Sequence, residues 1–374
     1  MAGAPKARPT RVGFIGAGGI SSKHAESLKL IPAVELVAIC DVVPARAQAL
    51  ASQFGVAQVF SSMEEMFRKA ELDVIHVLTP PQYHVEVALE CLREGRHVLV
   101  EKPLGLSATD CEKLRTESQR KGLLCGVNHN MTHVPVVDRL VDVVRSRKLG
   151  RVNHLMMNAC FPPEFIPLSD LRNFMFRDPT SMIYEFGPHP FSIVHRFMGR
   201  VLDAQCLASG ERKLPGERSI FESWQIALIC QRGTASLCFV VGKGVADSSI
   251  RLLGEDGIAH ADLDSGAVRL FENSPFPNTK LLRQAWSHSK ECIGAALKKT
   301  WHSYGATVSP LSDHARLDPF VRSLFSFYQA LLTKTKPRED VSSGIAVVEY
   351  CEETAGSVKF ASADKEIAAH VASR

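Results

Sequence analysis

The stretch RVGFIGAGGISSKHAESLKL, Arg11–Leu30, sets a short apolar run against a glycine-rich turn and a helix-forming segment. Arg11 to Ile15 reads as a buried strand, GAGGIS follows at Gly16 to Ser21, and Lys23 to Leu30 continues with helical character. Strand, glycine turn and helix in that order open a βαβ unit. A second apolar run, Val34 to Cys40, ends on Asp41. Pro44 then opens an alanine-rich helix that closes near Gly55, proline at the start and glycine at the end.

The alternation continues outward from that unit. Ser62-Met63-Glu64-Glu65 reads as a capping box, Asp73 to Thr79 as a strand and Gln82 to Gly95 as a helix. Arg96 to Val100 is a further strand, Ser107 with Asp110 caps a helix to Gly122, and Leu123 to Val127 is the last short strand before Asn128. This order predicts an α/β domain over residues 10–128, a doubly wound parallel sheet of the Rossmann kind. After residue 130 the grammar changes. A helix at Val136 to Leu149 leads into a strand at Arg151 to Cys160 and an irregular Pro- and Phe-rich stretch through Pro179. Strands then follow strands: Val201 to Ser209, Glu222 to Cys230, Thr234 to Val241, Ile250 to Leu253 and Ala267 to Phe271, with turn signals such as Arg232-Gly233 between them. An α+β domain with a largely antiparallel sheet is expected over residues 129–341, with helices at Leu281 to Lys299 and Leu317 to Thr333. A last helix, Ser342 to Val358, is expected to pack back on the first domain as part of residues 342–374.

Composition narrows the function classes. The 374 residues are 45% hydrophobic and 22% charged, ordinary for a folded globular chain. Lys and Arg number 44 against 40 Asp and Glu, spread along the sequence, which argues against nucleic acid as a partner. No apolar run is long enough to span a membrane and no signal peptide is visible, so a cytoplasmic protein is expected. Ten cysteines without a CxxC pair read as buried free thiols of a reducing compartment. No HExxH or Cys/His cluster offers a metal site.

The glycine turn carries the first chemistry. Gly16, Gly18, Gly19 and Ile20 lie between strand and helix, where backbone N–H groups at a helix start can approach a pyrophosphate. Ser21 stands where the common GxGxxG pattern has its third glycine. Asp41, at the end of the second strand, is placed to accept hydrogen bonds from the adenosine ribose hydroxyls and to repel a 2′-phosphate. NAD is therefore expected over NADP, softened by Arg46 one turn into the next helix.

GAGGIS, the TPPxxH segment at Thr79 to His84, EKP at Glu101 to Pro103 and EFGPH at Glu185 to His189 together resemble the glucose-fructose oxidoreductase and inositol dehydrogenase family of NAD(P)-dependent oxidoreductases. The resemblance covers nearly the whole chain. It implies cofactor contacts from Thr79, Pro80, His84, Glu101 and Lys102, a cis Lys102–Pro103 peptide, assistance to proton transfer by Lys102, and dimers or tetramers built through the second-domain sheet.

Lys102 stands at the carboxyl end of a parallel strand, where open α/β sheets bind ligands, so it can meet both a nicotinamide ribose and a substrate hydroxyl. Hydride transfer from an alcohol leaves a proton for a base, and His189 suits that task. With Pro188 as the first helical position, His189 falls in a first turn, where the helix dipole favours the neutral imidazole. Glu185 stands where the family has Asp; there the acid orients substrate and histidine, and the extra methylene shifts that geometry. Asn128, His129, Tyr184 and Arg172 are further substrate contacts.

Three functions fit these residues. The first is reversible oxidation of a secondary alcohol on a sugar, sugar derivative or cyclitol. The second keeps NAD bound and uses transient oxidation for epimerisation or elimination, with no net redox. The third is a sugar or dinucleotide sensor that has kept the fold without turnover, which the retention of both Lys102 and His189 argues against.

Overall fold

The computed structural model describes residues 8–361 apart from 163, 165, 167, 169, 243–246, 273–281, 283–284, 295 and 298–317. Two compact units emerge, the first formed by Met1–Asn130 with Leu311–Val348, the second by Met131–Pro310 with Glu349–Arg374.

In the first unit, strands β1 (Thr10–Ile15), β2 (Val34–Cys40), β3 (Gln58–Phe60), β4 (Val74–Val77), β5 (His97–Val100) and β6 (Cys125–Val127) form one parallel sheet in the order β3-β2-β1-β4-β5-β6. The order reverses between β1 and β4, the switch point at which doubly wound sheets hold ligands. Both faces are covered, so the central strands are apolar throughout; β4 is buried at all four positions. One face packs Val12, Phe14, Ile39, Val74 and Leu99 against the helix Gly19–Leu28 and against Phe320, Leu324, Phe327 and Tyr328. The other packs Ile75, Val77, Val98 and Val100 with Leu92, Leu104, Leu114 and with Val341, Ile345 and Val348.

The expected caps are in place. Ser62 accepts the Glu65 N–H and Ser107 the Asp110 N–H, while Gly55 and Gly122 close their helices in the left-handed conformation. The short β3 was not anticipated: three residues give too little pattern to read. The helix Pro319–Thr333, grouped by sequence with the second domain, belongs to the first unit. The reason is its apolar stripe of Phe320, Leu324, Phe327 and Tyr328, which completes one face of the sheet.

The second unit is built on an eight-stranded mixed sheet in the order β13-β12-β11-β7-β10-β9-β8-β14. Its strands are β7 (Val152–Phe161), β8 (Val201–Leu214), β9 (Arg218–Cys230), β10 (Gly233–Val241), β11 (Asp247–Gly254), β12 (Gly257–Asp262), β13 (Val268–Glu272) and β14 (Val358–Phe360). Neighbours are antiparallel except β7 with β10 and β8 with β14. Strand β12 was missed, and the last helix stops at Gly356 rather than Val358. Val358–Phe360 instead extends beside Cys206–Ala208 and supplies an edge strand. Residues 285–294 are helical, as expected, whereas Leu281, Lys299 and Leu317 lie outside the described residues. All ten cysteines are free thiols. Among the described residues no helix is long and apolar enough to cross a membrane.

Candidate active site

The carboxyl ends of β1, β2, β4, β5 and β6 gather the candidate residues of the first unit. Gly16 follows β1 with φ +101°, and a Cβ there would sit 2.6 Å from the carbonyl of Leu78 and 2.8 Å from the Thr79 nitrogen. Only glycine lets the turn pass this close to the end of β4. Gly18 precedes the helix Gly19–Leu28 without any side-chain cap, and no acidic residue occupies the first turn. A Cβ on Gly18 or Gly19 would meet nothing within 4 Å. The helix start thus presents uncapped N–H groups under an open surface, the setting for an anion. Buried Ser21 fills the third small position and donates its hydroxyl to the Gly18 carbonyl, while Ile20 is 38% exposed.

Asp41 is buried at the end of β2. Its Oδ2 accepts the Ala17 N–H at 2.7 Å and its Oδ1 the Val43 N–H at 2.7 Å, so it ties the glycine turn to the second strand. A carboxylate has about four acceptor positions, and two backbone bonds leave room for ribose hydroxyls. Arg46 is exposed.

His84 is fully enclosed, with Nδ1 2.7 Å from the Pro103 carbonyl and Nε2 2.7 Å from the Thr79 carbonyl. Burial lowers its pKa, against the pull of those two carbonyls and of Glu101. Both ring nitrogens are committed to the protein. The ring therefore joins the segments that follow β4 and β5, and any service to a cofactor passes through them. The Lys102–Pro103 peptide is cis, as the resemblance implies. The Thr79 hydroxyl oxygen is buried without a protein partner. Glu101, 6% exposed, receives His24 Nε2 at 2.8 Å and Asn128 Nδ2 at 2.6 Å on Oε1, and the Lys102 N–H at 3.1 Å on Oε2. Burial pushes the Glu101 carboxyl up, but the His24 bond and charge, the Asn128 bond and Lys102 outweigh it and hold it below the usual carboxylate range. Asn128 is 1% exposed and its Oδ1 has no protein partner; His129 sets Nδ1 3.2 Å from Glu339 Oε2.

The open glycine turn, the Asp41 carboxylate and the unspent Thr79 hydroxyl fit a dinucleotide: donors for a pyrophosphate, an acceptor for ribose hydroxyls, and a further polar group beside them.

In the second unit, Tyr184 and Glu185 lie on the helix Ser181–Phe186 and His189 on the helix Pro188–Met198, all three half-buried. The latter helix packs on β7, β8 and β10. Burial, with the charges of Cys351, Glu352 and Asp178, pushes the Tyr184 phenol up. Pro188 is the first residue of its helix, as expected. Gly187 is right-handed helical (φ -58°, ψ -37°), its N–H bonds to Ile183 and its carbonyl accepts from Phe191, so one helical path runs through both segments. What interrupts the ladder is Pro188 and Pro190, which have no N–H to give. Arg172 is remote from this packing in character: its side chain is 87% exposed and pairs with Asp170 at 2.9 Å.

The sequence reading did not find His24, His76 and Tyr328, all buried in the first unit. A histidine inside the apolar run VIHV of β4 was the available signal.

Residues 10–129 match the family model described as oxidoreductase family, NAD-binding Rossmann fold. The chain is 33% identical over 135 residues to 4-carboxy-2-hydroxymuconate-6-semialdehyde dehydrogenase of Sphingobium sp., covering 35% of this chain and 43% of that protein. It is 26% identical over 195 residues to myo-inositol 2-dehydrogenase of Thermotoga maritima, covering 52% and 56% respectively. The chain thus spans about half the length of the curated relatives it matches. The fold follows that of the WlbA dehydrogenase from Bordetella pertussis, solved with NADH and UDP-GlcNAcA, with TM-score 0.75 and 19% identity over 95% of this chain and 96% of that one.

Proposed function

We propose that the chain, whose residues 10–129 match the model described as oxidoreductase family, NAD-binding Rossmann fold, is an NAD-dependent oxidoreductase of the glucose-fructose oxidoreductase and inositol dehydrogenase family acting on a secondary alcohol of a sugar, sugar derivative or cyclitol. The observation that carries this reading is the cluster at the switch point of the parallel sheet: an uncapped glycine turn, a ribose-accepting Asp41 and Lys102 directly after the carboxylate of Glu101. Among the relatives, the Thermotoga maritima protein is named for myo-inositol and the Bordetella pertussis structure holds a nucleotide sugar.

Bound NAD supplies a hydride acceptor at nicotinamide C4. The residues of the chain do the rest. Backbone N–H groups at Gly18, Gly19 and Ile20 bind the pyrophosphate, Asp41 accepts the adenosine ribose hydroxyls and disfavours a 2′-phosphate, and Thr79, Pro80 and the His84-tethered segment flank the cofactor. The Lys102 ammonium orients the substrate hydroxyl and eases its deprotonation. His189 takes the proton, Glu185 orients both, and Asn128, His129, Tyr184 and Arg172 contact the substrate. The exposed residues Leu207 and Ile229, on one face of β8 and β9, support assembly into a homodimer or tetramer. Ten free thiols fit a cytoplasmic setting.

Anaerobic fluorescence titration with NADH and NADPH, followed by a panel of sugars and cyclitols with NAD, tests the reading. Tighter binding of NADH and appearance of free NADH with one polyol are expected. Tight binding without net NADH would transfer the protein to the redox-neutral or sensing classes, and no dinucleotide binding would overturn the reading.

A further inference from the structure

Behind Glu101 a line of polar side chains crosses the interior of the first unit. His24 sits on the helix Gly19–Leu28, His76 on β4 and Tyr328 on the helix Pro319–Thr333; they are 0%, 0% and 2% exposed. Tyr328 Oη lies 2.7 Å from His76 Nε2, His76 Nδ1 lies 2.9 Å from His24 Nδ1, and His24 Nε2 lies 2.8 Å from Glu101 Oε1. His76 stacks on Phe14 at 5.3 Å and His24 meets Phe320 edge-on at 4.8 Å, so apolar rings fix both imidazole planes.

The contacts dictate where the protons are. The Glu101 carboxylate only accepts, so His24 carries its proton on Nε2. Two Nδ1 atoms 2.9 Å apart need one proton between them, neither none nor two. Two arrangements satisfy this. In the first, the Tyr328 hydroxyl donates to His76, His76 donates from Nδ1 to His24, and His24 donates to Glu101. In the second, His24 carries one more proton and donates from both nitrogens; His76 then holds its proton on Nε2 and donates to Tyr328. Burial keeps His76 neutral in both, and in the second the neighbouring His24 charge adds to it. Either way Oε1 of Glu101 is drawn into the interior and Oε2 is left on the Lys102 backbone N–H.

We propose that His24, His76 and Tyr328 are positioning residues for Lys102, a buried hydrogen-bond chain that fixes the orientation of the Glu101 carboxylate and, through Oε2, the backbone from which Lys102 projects. Their value to turnover rests on the reading of Lys102 as a substrate-contacting group; the chain and its effect on Lys102 do not. None of the three touches the reaction.

The test uses the full-length protein labelled with ¹⁵N-histidine and reductively ¹³C-methylated on lysine, with the Lys102 signal assigned by loss in Lys102→Arg. His24 is expected to show a protonated Nε2, and His76 a single protonated nitrogen, confined to Nδ1 in Tyr328→Phe, where the hydroxyl is gone. The Lys102 signal is expected to move in Tyr328→Phe and further in His24→Ala, and to return toward its original position in His24→Gln, whose amide can again donate to Glu101. A bare His24 Nε2, or a Lys102 signal unmoved in folded His24→Ala, overturns the proposal; should that variant not fold, Tyr328→Phe decides it by the same signal. With a sugar substrate in hand, His24→Ala is expected to lower kcat by up to about a hundredfold with little change in KM. An inactive enzyme whose Lys102 signal still answers to these substitutions would refute the dehydrogenase reading and uphold the chain.

Discussion

At the scale of single residues, the site is a set of commitments already made by the protein. Asp41 spends one oxygen on Ala17 and one on Val43, so its removal loosens the glycine turn as well as deleting a ribose acceptor. Asp41→Ala is expected to weaken NADH binding at least about tenfold, and to narrow the preference over NADPH, in a fluorescence titration. Gly16→Ala puts a methyl group on the Leu78 carbonyl in a backbone conformation that side chains disfavour. It should cost roughly 2–4 kcal/mol in denaturant unfolding and abolish cofactor binding. Protonation is committed too. Burial holds His76 well below, and His84 below, the ordinary histidine value of 6.5. The unfolded chain therefore binds these protons first as pH falls, and the stability they contribute is complete above about pH 6.5 and lost progressively below it. The urea midpoint should fall between about pH 7.5 and pH 5.5, and a flat profile would contradict this account. Gly16, Asp41 and Lys102 were legible as candidates because each closely follows an apolar run that reads as a parallel strand. The double tether of His84 was not, since it depends on two carbonyls far apart in sequence.

At the scale of elements, legibility followed the strength of local signals. Caps and proline starts marked helices to within a few residues, and uninterrupted apolar runs marked the parallel strands. Three-residue strands such as β3 and β14 lacked any period to read. The segment Glu185–His189 shows what pattern alone misses. Proline at 188 signals a helix start, yet Gly187 carries the helical path across it. Glycine is required there by packing, because a Cβ would fall 2.8 Å from the Phe191 ring and closer still to the Ile183 carbonyl. Gly187→Ala is expected to destabilise the protein by roughly 1–3 kcal/mol, read as a lower thermal midpoint, and to depress kcat by shifting His189 relative to Glu185.

At the scale of the whole molecule, the two-part plan was readable from the change of grammar after residue 130, while the return of the helix Pro319–Thr333 to the first unit was not. That assignment is written in an apolar stripe whose partners, Phe14 and Leu99 among them, lie more than two hundred residues earlier. The exposed side chains on β8 and β9 carry the remaining prediction. Light scattering should find an oligomer, and Leu207→Arg with Ile229→Arg should release monomers that still bind NADH. The discontinuous first unit also sets a timetable for synthesis. A ribosome delivers the glycine turn, Asp41 and Lys102 early, but the side chains that finish one face of their sheet emerge only after the stretch Met131–Pro310 of the second unit has been made. Until then that face of the nascent sheet lacks the cover of Phe320, Leu324, Phe327 and Tyr328, and the half-covered sheet is work for chaperones.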